Sequence, residues 1–312
     1  MNRLTENKIV LVTRRTRLDD LVARFNTVGQ AKFYVEHLGA DFSDYQHEHE
    51  QYRASVAAAI ATLERIGRLH VLDRSFLPSF IFGNDDTVVV LGQDGLVANT
   101  VKYTTTQQVV GVNPDPARWE GVLLPFGVPD LEKILPEVFA RRRSIKEVTM
   151  AKAELNDGQK LYAVNDLFVG VRSHVSARYT ISVGDKSEQH SSSGLIVSTG
   201  LGSTGWFRSL MTGAAVIANE ASGGKLHAKP PGGFAWDADY LYFTVREPFP
   251  SKTSSATLVF GKITSKRPLK LISQTPEVGV IFSDGIESDF VAFNSGTRAT
   301  ITIAEKRGHL VV

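Results

Sequence analysis

The 312-residue chain contains no cysteine. That excludes disulfides, thiolate catalysis and cysteine-based metal sites, and leaves stability to packing and hydrogen bonds. Long apolar runs are lacking too. Segments such as IVLV (9–12) and VVVL (88–91) fall far short of the roughly 20 residues a membrane-spanning helix needs. No signal-peptide h-region stands at the N-terminus, so a cytoplasmic protein with no membrane partner is expected. Charge of one sign is scarce as well: 35 Lys and Arg face 33 Asp and Glu, and the triplet Arg141, Arg142 and Arg143 reads as a solvated face. Nucleic acid is therefore not an expected partner, and no internal repeat is evident.

What is present is apolar residues, 42% of the chain, ample for one large core or two ordinary ones. Over residues 1–145 short apolar runs alternate with helical patterns. KIVLVT (8–13), LHVLD (69–73), TVVVL (87–91) and QVVGV (108–112) read as strands. Thr16 and Asp19 have capping-box spacing ahead of a stripe of Leu18, Leu21, Val22 and Phe25. Thr27 and Gln30 repeat it before Ala31, Tyr34, Val35 and Leu38. A longer helix carries Val56, Ile60, Leu63 and Ile66. Such alternation predicts a mostly parallel sheet covered by helices. From about 146 onward the texture is β-rich, with KLYAVNDLFVGV, SARYTISV, DYLYFTVRE, ATLVFGKIT and RATITIA broken by turn residues. One helix is expected from near Gly205 through Phe207, Leu210, Met211 and Ala214, followed by a Gly- and Pro-rich loop over 221–234.

Three stretches can carry chemistry. In α/β sheets ligands gather beyond the carboxyl ends of strands, where helix N-termini expose unpaired N–H groups. VVVLGQDGLVANT (88–100) belongs there: Gly92 and Gly95 let backbone approach a phosphate, and Asp94 could accept a proton from a hydroxyl or help hold Mg²⁺. Taken alone, the same residues describe a strand-to-helix turn with an Asp cap. AVNDLFVG (163–170) places Asn165 and Asp166 in an apolar run, where they need partners, or else mark a turn or bulge. GLIVSTGLGSTGW (194–206) gathers Ser198, Thr199, Gly200, Gly202, Ser203 and Thr204 ahead of a helix. That arrangement suits a phosphate or ribose, or is a polar loop with Thr204 as N-cap.

In order and content these stretches resemble the NAD kinase family, whose GGDG, Asn-Glu or Asn-Asp, and DGLIVSTPTGSTAY segments correspond to GQDG (92–95), VND (164–166) and SGLIVSTGLGSTGW (193–206). RPLKL (267–271) and SDGIESDF (283–290) match the family's weaker C-terminal pattern. The resemblance implies a Rossmann-like α/β nucleotide domain over 1–145, rejoined by 290–312, and a β-rich, sandwich-like substrate domain over 146–289. It implies a homodimer or homotetramer that moves the γ-phosphoryl of ATP, or of polyphosphate, to the 2′-hydroxyl of NAD, with Mg²⁺ or another divalent ion. Asp94 becomes the general base, and Gly92, Gln93 and Gly95 the phosphate loop. Asn165 and Asp166 contact the nucleoside, and Ser198, Thr199, Gly202, Ser203 and Thr204 line the nucleotide site. No directly protein-ligated metal is assigned.

Four positions depart from the family pattern. Gln93 replaces a glycine, Asp115 stands at a glycine position in GVNPDPARWEG (111–121), Ser193 replaces an aspartate and Trp206 a tyrosine. They leave open an acceptor other than NAD, such as a sugar, a nucleotide or a lipid, and a dinucleotide-binding protein without catalysis. HEHE (47–50) is read as a solvated helix start, because His47 and His49 do not share a helical face. Ser203 lacks the glycine spacing of a nucleophile elbow.

Overall fold

The computed structural model describes residues 3–229 and 232–312. The chain divides into two units. One takes the chain up to Lys146 together with His309–Val312, and the other is Glu147–Gly308.

The first unit runs β1 (Lys8–Thr13), α1 (Arg17–Phe25), α2 (Val28–His37), α3 (Phe42–Ile66), β2 (Arg68–Asp73), β3 (Thr87–Leu91), α4 (Asp94–Val101), β4 (Gln108–Asn113), the short β5 (Phe126–Gly127) and α5 (Leu131–Phe139). Its strands are parallel in the order β2-β1-β3-β4, with β5 on β4. Ile9, Leu11, Val89, Leu91, Val110 and Val112 pack against Leu63 and Ile66 of α3 and Leu131, Ile134 and Leu135 of α5. The alternate residues Val10, Val12, Val88 and Val90 are equally buried. Covered on both faces, these strands read as unbroken valine and isoleucine runs. The edge strand β2 leaves Val71 exposed.

Helix starts follow the sequence closely. Thr16 and Asp19 form the capping box, and the Thr27 hydroxyl accepts the Gln30 N–H. Two expectations need correction. Leu38 does not join the apolar stripe of α2: it is the C-cap, 66% exposed, and only Ala31 and Val35 are buried. HEHE is not a solvated helix start, because it lies inside α3 and Glu48 is 4% exposed, held by arginines.

In chain order the remaining elements are β6 (Ile145–Leu155), β7 (Lys160–Ala163), β8 (Asp166–Val171), β9 (Ala177–Val183), β10 (Lys186–Ser192), β11 (Leu195–Ser198), α6 (Trp206–Ala221), β12 (Leu241–Val245), β13 (Phe260–Ile263), β14 (Leu269–Ser273), β15 (Gly279–Ser283), β16 (Ile286–Ala292) and β17 (Arg298–Val311). In the second unit one sheet holds β10-β9-β14-β17, with β6 beside β17 and β7 beside β6, and the other is β13-β12-β11-β8-β15-β16. Strands such as β14 alternate buried and exposed residues. The inward residues of both sheets, among them Tyr179, Ile181, Val197, Phe243, Leu271 and Ile281, share one core, which makes a sandwich. The other face of the six-stranded sheet, at Phe168, Ile196 and Val280, is packed by Trp206 and Leu210 of α6. On that helix Phe207 and Ala215 are buried and Ala214 is exposed, so the expected stripe turns one residue at its end.

The segment returning to the first unit is shorter than 290–312: β17 stays in the second unit to Gly308, and only His309–Val312 rejoin the first, where His309 and Leu310 pair in parallel with Gln108 and Val109 of β4. Pro230 and Pro231 of the 221–234 loop lie outside the described residues. No helix among the described residues is long and apolar enough to cross a membrane.

Candidate functional site

The GQDG stretch occupies the carboxyl end of β3, between two neighbouring parallel strands of the first unit. The Gly92 N–H donates to Val112 O at 3.2 Å, and a Cβ on Gly92 would meet Leu96 Cδ2 at 2.8 Å. Glycine there lets the strand end press onto the first turn of α4. Gln93 is the N-cap of α4 through its backbone, without a side-chain capping bond. Asp94 is therefore the first residue of the helix and not its cap. A Cβ on Gly95 would meet nothing within 4 Å, so that side of the turn is open.

The Asp94 carboxylate has a job that the sequence does not show. Its Oδ1 accepts the Leu123 N–H at 2.8 Å and its Oδ2 the Val122 N–H at 3.2 Å. This pins the backbone that directly follows Gly121. Gly111 permits the approach, since a Cβ there would lie 1.9 Å from Leu123 O, and Gly121 turns the chain at φ +65°. Asp115 starts a turn: its N–H donates to Asn113 Oδ1, and its carbonyl accepts from the Arg118 and Trp119 N–H groups.

From the same segment Arg118 forks onto Asp44 with two contacts of 2.8 Å. Asp44 also takes Arg17 at 2.7 Å, Arg17 pairs with Glu48, and Glu48 takes Arg14 at 2.9 Å. Hydrogen bonds from Arg118 and Arg17 hold the Asp44 carboxyl well below its ordinary range. For Glu48, burial pushes the pKa up, but the bonds from Arg17 and Arg14 outweigh it and the group ends lowered. This chain of five charges was not legible in the sequence, because its members are scattered over 14–118 with no shared spacing.

In the second unit the structure brings the Asn-Asp and GLGST stretches together. Asn165 sits between β7 and β8, and its carbonyl accepts from the N–H and hydroxyl of Thr199. Gly202 presses on the same carbonyl so closely that a Cβ would lie 2.1 Å from it. Ser198, Thr199 and Ser203 are buried, and their hydroxyls donate to the carbonyls of Thr199, Val164 and Gly200 respectively. They brace the loop through these bonds. Thr204 is exposed in a 3-10 turn (Gly202–Thr204), and Gly205, not Thr204, is the N-cap of α6. Trp206 stacks on Phe168 at 5.9 Å with the Arg246 guanidinium over it, so this side chain serves packing. Ser193 lies exposed between β10 and β11.

Sequence reasoning did not pick out Asp284 as a site residue. It stands at φ +55°, followed by Gly285 at φ +71°, in the turn joining β15 to β16. The Asp-Gly pair of SDGIESDF was the available signal. The Asp284 carboxylate accepts the N–H groups of Val164 at 3.0 Å, Asn165 at 2.6 Å and Asp166 at 3.3 Å. Burial, then the nearby Asp284 charge, pushes the Asp166 carboxyl up to about 7, and Asp166 is only 7% exposed. Two carboxylates, one of them easily protonated, thus share the neighbourhood of Asn165.

Compared with known proteins, the chain matches no family profile and no curated protein. It is similar in fold to solved structures. Yeast NADH kinase complexed with NADH superposes with a TM-score of 0.57 at 15% identity, over 99% of this chain and 84% of the yeast one. An NAD kinase from Archaeoglobus fulgidus in complex with ATP gives 0.54 at 15% identity, over 98% and 93%. At such identity the likeness establishes the architecture, an α/β unit joined to a β-rich one, and nothing finer.

Proposed function

We propose that this chain is a kinase-like phosphotransferase that moves the γ-phosphoryl of ATP, or the terminal phosphoryl of polyphosphate, to the 2′-hydroxyl of NAD. The observation that carries the reading is Asp94 in the first turn of α4, directly beyond the parallel strand β3, in a fold shared with kinases crystallised with NADH and with ATP. The N-terminal end of α4 and the open side of Gly95 favour an anion. Asp94 orients the acceptor hydroxyl and takes its proton as the phosphoryl arrives. Each carboxylate oxygen accepts one amide and retains a lone pair for this. Asn165 and Asp166 are assigned to the nucleoside and Thr204 to the dinucleotide. Among the described residues no three His, Asp or Glu side chains gather to hold a metal, so a divalent ion is taken to enter on the donor phosphates. Such an ion would supply positive charge to offset that of the donor phosphates.

A second reading, nucleotide binding without turnover, is favoured by one observation: both Asp94 oxygens already hold the 122–123 backbone. Purified chain given Mg-ATP or polyphosphate and NAD decides between them. NADP appearing in the wild type and vanishing in Asp94→Asn supports the kinase. Binding of both ligands with no NADP supports the second reading, and ATP turnover only with another hydroxyl compound would reassign the acceptor.

A further inference from the structure

A cavity of about 440 Å³ opens at the carboxyl ends of β1 and β2, wholly inside the first unit and distinct from the GQDG turn itself. Its walls carry three guanidinium groups, Arg14, Arg15 and Arg53, against two carboxylates, Asp19 and Asp73. The carboxylates are engaged internally: Asp19 takes the Thr16 N–H and hydroxyl and Arg53, and Asp73 takes the N–H and hydroxyl of Ser75. Arg14 is paired with Glu48, yet its Nε–H is buried with no acceptor, a donor left without its oxygen. Arg15 is exposed and has no side-chain partner among the described residues.

The cavity is also wired to the phosphate loop. The Arg14 N–H donates to the Tyr52 hydroxyl at 2.9 Å, and that hydroxyl donates to Leu91 O at 3.0 Å, the residue directly before GQDG. The Arg14 guanidinium lies over the Tyr52 ring at 4.9 Å. A buried tyrosine thus fixes the arginine loop against the strand end that presents Asp94.

We propose that this crevice binds a linear phosphoanhydride chain, gripped by Arg15 with Arg14 and Arg53 behind it. A guanidinium offers paired N–H donors at the spacing of phosphate oxygens, and although Glu48 and Asp19 hold Arg14 and Arg53, the Arg15 guanidinium and the Arg14 Nε–H remain to receive an anion at the ends of parallel strands. Calling that chain the donor's rests on the reading above; the anion site does not.

Calorimetric titration of the full chain with magnesium tripolyphosphate and, separately, with Mg-ATP, without acceptor, tests it. Arg15→Ala is expected to weaken binding by about tenfold or more, and Arg15→Glu further. Arg208→Ala, which removes an exposed positive charge from α6, should change nothing. Because Arg15 is exposed and unpaired, both variants should melt like the wild type. Arg15-dependent binding of both ligands, of ATP alone, or of tripolyphosphate alone supports the site and tells a nucleotide donor from an inorganic one. Binding of neither, or binding indifferent to Arg15, overturns it. Arg15-dependent binding in a chain that forms no NADP sinks the kinase reading alone, whereas NADP formation with Arg15→Ala at unchanged KM for the donor sinks this site alone.

Discussion

The Asp94 carboxylate accepts the Leu123 N–H at 2.8 Å, so the residue assigned to proton transfer also anchors the backbone at Val122 and Leu123. The two duties respond differently to substitution. Asp94→Asn keeps one carbonyl oxygen for the backbone and removes the charge and basicity; it is expected to abolish NADP formation with a small loss of stability. Asp94→Ala removes both acceptors and should cost about 1–3 kcal/mol in addition. Denaturant midpoints of the two variants, set beside their activity, separate the duties. Equal stability of the two would show that the anchor does nothing.

Asp166 makes a pH prediction. Its folded pKa, pushed to about 7, lies above that of an unfolded aspartate, so between about pH 4 and pH 7 the folded chain holds a proton that the unfolded chain has released. The contribution of Asp166 to stability therefore falls as pH rises through that window and levels off above it. Asp166→Asn should flatten the curve, so that the wild type loses stability relative to the variant between pH 5 and pH 8, by a few kcal/mol in order of magnitude. Chemical unfolding at the two pH values measures this, and a wild-type curve parallel to the variant's would contradict it.

Glu48 and Asp44 belong to one arginine network but differ in burial, with side chains 5% and 46% exposed. Removing Glu48 leaves Arg14 largely buried and without its counter-charge, for an expected loss of about 3 kcal/mol in Glu48→Ala. Asp44→Ala leaves arginines that water can reach and should cost under about 1 kcal/mol. Thermal or denaturant melts that rank the two variants the other way round would refute the network's assigned hierarchy.

Gly202 and Gly213 test close approach. A methyl on Gly202 would lie 2.1 Å from Asn165 O, while one on Gly213 in the interior of α6 meets nothing within 4 Å. Gly202→Ala is expected to destabilise by more than about 2 kcal/mol and to disturb the Asn165 neighbourhood. Gly213→Ala should stabilise by about 0.5–1 kcal/mol. Comparison of their melting temperatures decides.

Much of this architecture is legible in the sequence because strong local rules write it there. Unbroken valine runs mark strands buried on both faces, alternation marks the sandwich, and Thr16 and Asp19 mark a helix start. The site stretches too were visible as polar breaks in apolar runs. What their side chains do was not visible, since that depends on partners far away in the chain. The bracing of the loop by Ser198 and Thr199 shows only once the carbonyls that take their hydroxyls are located. Glu48 looks solvated until Arg14 and Arg17 fold against it. Asp284 becomes notable only once the turn after β15 delivers its carboxylate to three amides of the Asn-Asp stretch.

The pairing of His309 with Gln108 sets an order of events in time. The Val112–Asn113 end of the β4 edge is covered early by β5, whereas its Gln108–Val109 end waits for His309 and Leu310, far later in the chain, so the first unit is sealed there only after the second has been made. Closing so large a loop carries an entropic penalty that slows the final step. During that interval the nascent chain presents an open strand edge, and a stop codon that removes His309 onward would make the exposure permanent, trading a sealed sheet for a surface prone to self-association.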